Sequence, residues 1–279
     1  MPHTEYLLPS AGGNERETNR LDAIHKAFSA YFDGRLCGVD LAQGNLHNIL
    51  DLGCGSGAWA IQAANEFPVA QIAAVDLSPL PVRPLPENLH FALADISQPM
   101  PFEPRTFDVV HSRLVMCHIL TVSQVKDASK VISEAAQLIR PGGLLLIEDV
   151  DMKSLAETGG PSSSRCVSKM IELWRENGAD FEVARKLQEI VQSTGYFANV
   201  EVQRINLPFG NTASGDERRQ RLGHELKKGW QQLVMSAGER LATLYGLDEE
   251  MVRAHVQELD EVGSKASADL YICAARRCT

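Results

Sequence analysis

Positive charge is scarce in this chain. Its 27 Lys and Arg face 36 Asp and Glu, for a formal net charge of −9 over 279 residues. That argues against nucleic acid as a general partner, because phosphate binding needs a basic face. The densest basic cluster, Arg218-Arg219-Gln220-Arg221, stands beside Asp216 and Glu217 and reads as a solvated helix face. No stretch is apolar for long enough to cross a bilayer, so no membrane role is expected. Met1-Pro2-His3-Thr4-Glu5 lacks the basic start and apolar run of a signal peptide. The six cysteines (37, 54, 117, 166, 273, 278) form no C-x-x-C pair and no zinc-like spacing. They read as reduced thiols of a cytoplasmic protein, several of them buried, with no metal site. There is no internal repeat and no signal for an oligomeric state. Hydrophobic content of 44% and charged content of 23% suit a soluble globular protein. The length suits one large domain, or one domain with a substantial insertion.

What is present is a phased run of strands and helices. Leu46–Leu52 reads as a strand, Ala58–Glu66 as an amphipathic helix ended by Phe67-Pro68, and Gln71–Asp76 as a second strand. Pro79, Pro81, Pro84 and Pro86 forbid a regular helix after it. Leu89–Leu93 is a short third strand and Phe107–Ser112 a fourth. Ser123–Ile139 has helical periodicity and stops at Arg140-Pro141-Gly142-Gly143, before a fifth strand over Leu144–Val150. This alternation predicts a mostly parallel sheet with helices on both faces. Beyond it come an extra helix at Cys166–Asn177, a helix at Glu182–Ser193 and strands at Val200–Leu207 and Ala268–Ala275. Helical segments at Asp216–Ser236 and Glu249–Glu261 separate those last two strands. The domain plan is therefore a helical cap over residues 1–45, a core over 46–207 and 264–279, and an insertion over 208–263. Such an insertion either thickens the core or forms a lid over a crevice at the carboxyl ends of the strands.

The most informative run is Ile49-Leu50-Asp51-Leu52-Gly53-Cys54-Gly55-Ser56-Gly57. It reads as a buried strand breaking into a glycine turn that opens a helix. Glycines at alternate positions leave no side chains at the strand mouth, where a nucleotide-like ligand can lie against bare backbone N–H groups. Asp76, ending the second strand, suits a pair of ribose hydroxyls. A dinucleotide dehydrogenase would carry G-x-G-x-x-G; this turn is G-x-G-x-G. Together with Asp95-Ile96, Phe107-Asp108-Val109-Val110-His111 and Arg140-Pro141-Gly142-Gly143, the run resembles the class I S-adenosylmethionine-dependent methyltransferases over residues 48–150.

That resemblance implies a Rossmann-like α/β fold of seven strands and S-adenosyl-L-methionine as cofactor, with S-adenosyl-L-homocysteine as product. It implies that Gly53 and Gly55 lie under the methionine part, with Cys54 in the same turn and no chemistry for its thiol. Asp51 would bond the cofactor's amino group, or else only stabilise the turn. Asp76 would hold the ribose diol. Leu77 and Ile96 would flank the adenine and Asp95 its amine, unless Asp95 merely bonds its own loop. His111 and Ser112 would lie under the reactive end. A sulfonium is already activated, so the chemistry needs alignment of a nucleophile and, for a protonated one, a base. His111, His118 and Asp149 are the candidates, the last among the acids Glu148, Asp149 and Asp151 that close the fifth strand. Arg113 and Met116 stand where family acceptors meet the cofactor, though Arg113 is equally suited to pairing with an acid of the sheet.

The N-terminus adds a second resemblance. Tyr6-Leu7-Leu8-Pro9-Ser10, Asn14 to Asp22 and His25, with Asp76-Leu77-Ser78-Pro79 and His111-Ser112-Arg113, are similar to fungal small-molecule methyltransferases of secondary metabolism. That group implies that Tyr6 and the helix around Arg20–Phe28 fold over the cofactor, with Arg20 reaching its carboxylate or else standing in water. Ala23-Ile24 departs from the Leu-Gln common there. The expected activity is methyl transfer to a small hydrophobic acceptor, oxygen being favoured over nitrogen because no aromatic cage for a cationic amine is visible. The rivals are a regulatory protein that keeps the fold and a methyltransferase-fold enzyme running another reaction, such as a cyclisation.

Overall fold

The computed structural model describes residues 14–41, 45–119, 128–176, 180–210, 216–245 and 247–279. Its first helix, α1 (Glu15–Tyr31), starts where Asn14 Oδ1 accepts the Glu17 N–H at 3.1 Å and buries Ile24, Ala27 and Phe28. Then follow β1 (Asn48–Leu52), α2 (Ala58–Glu66), β2 (Gln71–Asp76), β3 (Leu89–Leu93) and β4 (Phe107–Arg113). A 3-10 turn at Met116–His118 precedes α3 (Ala128–Leu138) and β5 (Ile139–Asp151). The second half holds α4 (Met152–Thr158), α5 (Pro161–Glu176), α6 (Val183–Ser193) and β6 (Phe197–Pro208). It closes with α7 (Glu217–Tyr245), α8 (Glu249–Asp260) and β7 (Ser267–Arg277).

The strands form one sheet in the order β3-β2-β1-β4-β5-β7-β6. The first five are parallel and β7 runs antiparallel to both its neighbours. Ile49, Leu50, Leu52, Val75, Val109, Val110, Leu145 and Leu146 are buried, the pattern of strands covered on both faces. The chain moves outward from β1 to β3, then returns beside β1 as β4. That reversal opens a crevice at the carboxyl ends of β1 and β4.

Two elements differ from the sequence reading. The fifth strand begins at Ile139, paired with Phe107, and Arg140 to Gly143 form an irregularity inside it with Gly142 at φ 77°. The Asp108 carboxylate explains the motif there: it accepts from the His47 and Asn48 amides at 2.6 and 2.7 Å and pairs with Arg140, so it clamps the start of β1. The insertion between β6 and β7 carries α7 across α1 and β6 and against α8, while α8 packs on α5. Within it, α7 runs on to Tyr245, past the expected end at Ser236.

Candidate functional site

The glycine turn closes in an unexpected way. Gly53, Gly55 and Gly57 all have positive φ (69°, 57° and 78°), and a Cβ on Gly53 would sit 2.6 Å from a Val115 methyl. Their type is therefore set by conformation and crowding. Their amides are not bare, however. The Gly53 and Cys54 N–H groups donate to the Val75 carbonyl, and the Gly55 N–H donates to Asp76 Oδ2 at 2.8 Å. The turn offers a ligand a surface without side chains and not a row of free donors. Asp76 Oδ1 accepts from the Ser78 N–H at 2.9 Å. Each carboxylate oxygen keeps a second lone pair for a hydroxyl. Burial raises the Asp76 pKa, against the two amide bonds.

Beneath the turn lies a buried chain of charged side chains. Asp51 Oδ1 is 2.7 Å from His111 Nδ1, and His111 Nε2 is 3.2 Å from Glu148 Oε2. The same Glu148 oxygen accepts from Arg113 Nε at 2.6 Å. Burial alone would raise the Glu148 pKa, but Arg113 and His111 outweigh it and the carboxylate is held below its usual range. Trp59 stacks on the His111 ring with centroids 3.8 Å apart. Arg113 continues to the Leu36 carbonyl at 2.7 Å and lies over the Phe28 ring. This ties the segment after α1 to the sheet. Asp51 Oδ2 is buried without a hydrogen-bond partner among the described residues, which leaves an acceptor for a further donor.

Above the turn is a cavity of about 830 Å³, within the usual range for small-molecule sites. Its lining includes Asp51, Gly53, Cys54, Gly55, Asp76, Leu77, Asp95 and Ile96. Leu77 is 47% exposed, an apolar side chain only about half covered by the protein. Asp95 Oδ1 accepts from the Ser97 N–H at 2.8 Å, so the residue does bond its own loop while lining the cavity. The cavity also has an apolar lining of Ile24, Met152, Phe181, Phe209, Leu226, Trp230 and Leu233. Arg20 also lines it, held bidentately by buried Glu17 at 2.7 and 2.8 Å.

His118 and Asp149 also line the cavity. His118 Nδ1 is buried with no partner among the described residues, and burial, helped by the Arg20 charge, lowers its pKa to about 4. The imidazole is neutral at physiological pH. Burial pushes Asp149 up to about 6, although it accepts from the Met116 and Val150 amides at 2.8 and 2.9 Å and from Cys117. Those bonds anchor the 3-10 turn that carries His118. The Cys54 and Cys117 thiols are raised well above their usual value, first by burial, and stay protonated.

Several expected residues fall elsewhere. Ser112 and Met116 are buried and outside the cavity lining. Ser112 is fixed between Leu52 and Ile147 in the sheet, and Met116 contributes its amide to Asp149. Arg113 touches the cavity but its charge is consumed by Glu148, and both His111 nitrogens face carboxylates. Asp151 turns to Arg185 and caps α4. Tyr6 lies outside the described residues. The apolar wall carried no sequence signal, since its members come from α1, α4, α7 and the segments after α5 and β6, and no motif links them.

A methyltransferase-domain family model matches residues 50–147. Methyltransferase str3 of Strobilurus tenacellus is 37% identical over 200 residues, covering 71% of this chain and 69% of its own. Methyltransferase str2 of the same fungus is 31% identical over 278 residues, covering 98% and 96%. The secondary metabolism regulator laeA of Coprinopsis cinerea is 28% identical over 73% of this chain and 53% of its own. Among solved structures, the [4+2]-cyclase SpnF shares the fold with a TM-score of 0.51 at 15% identity, covering 98% of this chain and 99% of that one. The chain belongs to the class I S-adenosylmethionine-dependent methyltransferases. It is an enzyme of that family, and S-adenosyl-L-methionine is its cofactor.

Proposed function

We propose that this enzyme methylates a hydroxyl oxygen on a small hydrophobic metabolite, with His118 as the proton acceptor. The cofactor supplies a methyl group on a sulfonium with a neutral leaving group. Asp76 would hold its ribose, and Asp51 Oδ2, buried and unpartnered among the described residues, would take its amino group. Leu77 and Ile96 would flank the adenine, with Asp95 at its edge. Arg20 would face the carboxylate. We read His111 as a positioning residue, because its ring is spent on Asp51 and Glu148.

The observation that carries this reading is a neutral, buried imidazole that lines the cavity with a nitrogen unpartnered among the described residues. An acceptor hydroxyl can donate to it, and geometry ranks ahead of basicity in choosing a base. Asp149 supports His118 by holding the Met116 amide and Cys117. Helix α7, with α1, would act as the lid that excludes water. The fungal relatives support a place in secondary metabolism, and six unpaired cysteines support a cytoplasmic setting. No helix among the described residues is long and apolar enough to cross a membrane.

The test is formation of S-adenosylhomocysteine with a panel of phenols, alcohols, carboxylic acids and amines. His118→Gln is expected to lower kcat by about 100-fold, the scale of general-base loss, with cofactor affinity unchanged in a calorimeter. Full activity in His118→Gln would remove the base assignment. Turnover confined to amines would overturn oxygen methylation.

A further inference from the structure

One buried chain of hydrogen bonds has no role in the chemistry above. Trp230 reaches the cavity from α7, and its indole N–H donates to His255 Nε2 at 2.9 Å. His255, on α8, is fully buried. Because its Nε2 accepts, its Nδ1 carries the proton and donates to Ser163 Oγ on α5 at 2.9 Å. The Ser163 hydroxyl bonds the Glu258 carboxylate, whose two oxygens also accept from the Ser162 and Ser163 amides at 2.8 and 2.7 Å. Three helices thus spend a histidine, a serine and a glutamate on the orientation of one indole. A satisfied buried network of this kind specifies geometry more than it adds stability.

The consequence for the cavity is chemical. The only polar atom of Trp230 is used by His255, so the indole offers the cavity carbon alone. Phe181, whose ring lies edge-on to His118 with centroids 6.4 Å apart, is held in turn by Trp174, stacked at 5.0 Å. Phe209 completes the wall.

We propose that Trp230 is a specificity-determining wall of the acceptor compartment, held at a fixed angle by the positioning residue His255, and that the acceptor is a planar aromatic ring bearing a hydroxyl. Flat rings gain from fixed aromatic faces and edges, whereas a puckered ring of equal size gains only burial. This inference rests on the methyl-transfer reading above.

The experiment compares 2-naphthol with its saturated counterpart, decahydro-2-naphthol, as acceptors for the wild type, Trp230→Leu, His255→Leu and His255→Gln. Wild type is expected to favour the arene in kcat/KM, and Trp230→Leu to reduce that preference by about tenfold, the scale of one aromatic pair. His255→Leu is expected to move the ratio the same way and His255→Gln, which can still accept from the indole, to restore it. Calorimetric affinity for S-adenosylmethionine, unchanged across the set, shows that the fold and the cofactor site survive. Turnover with a ratio that Trp230→Leu leaves unmoved overturns this proposal alone. Absence of turnover on either alcohol counts against the reaction assignment. The same ratio is then read from calorimetric binding of the two alcohols to the S-adenosylhomocysteine complex, where equal or absent binding of the arene overturns the aromatic wall as well.

Discussion

Glu148 shows how much one side chain can hold. It is fully buried and serves His111 and Arg113 with the same oxygen, while Arg113 reaches on to the Leu36 carbonyl. Removing it strands a guanidinium that is itself almost wholly buried. Glu148→Ala is expected to cost about 3–5 kcal/mol, the range for breaking one side of a buried ion pair, read from urea unfolding. A change within ~0.5 kcal/mol, the usual effect of an unconstrained surface substitution, would mean that the pair is dispensable. Legibility at this scale was uneven. Asp51, Asp76 and His111 stood in motifs, and each lines the cavity where the turn and the strand ends put it. Ser112 stood in the same motif as His111 and Met116 shortly after it, and neither lines the cavity. Alternation along a strand and the amide bond to Asp149 turn them away, and no spacing rule carries that information.

At the scale of elements, the glycine turn is the joint between sheet and cofactor crevice. Gly53→Ala forces a side chain onto a left-handed residue and against Val115. We expect a loss of at least about 1–2 kcal/mol from the backbone term alone, with weaker S-adenosylmethionine binding, measured by thermal melting and calorimetry. An Ala variant with native Tm and affinity would show that the turn tolerates a Cβ. Helices and strands with strong periodicity were legible almost to the residue: α2, β2 and β3 have their expected bounds. The failures have physical causes. Arg140-Pro141-Gly142-Gly143 reads as a break, yet a β-irregularity accommodates it inside β5 because Ile139 is already paired with Phe107. The helical segment expected over Asp216–Ser236 runs on to Tyr245.

Over the whole molecule, the titration of buried histidines should dominate the response to acid. Burial lowers His25, His118 and His255 to about 4 each. The unfolded chain binds their protons near pH 6.5, the native chain only near 4. Stability is therefore lost as pH falls through that window. Asp149 acts in the opposite sense. Its native pKa of about 6 lies above the unfolded 3.8, so acidification over that range favours the fold. Three groups outweigh one, and unfolding free energy is expected to drop by more than about 2 kcal/mol between pH 7 and pH 5. Constant or rising stability would mean that these rings are hydrated in solution. A mostly parallel sheet covered by helices was legible from alternation, but its strand order and the packing of α1 against α7 were not, because both depend on contacts between segments far apart in the chain.

The central claim is that S-adenosylmethionine lies over the side-chain-free turn with its sugar on the carboxylate ending β2. Calorimetric titration of the cofactor into wild type and Asp76→Ala tests it most directly. The account predicts measurable binding by the wild type and a loss of more than about 1 kcal/mol in the variant, the scale of a charged hydrogen bond. Equal affinity in both proteins would contradict it.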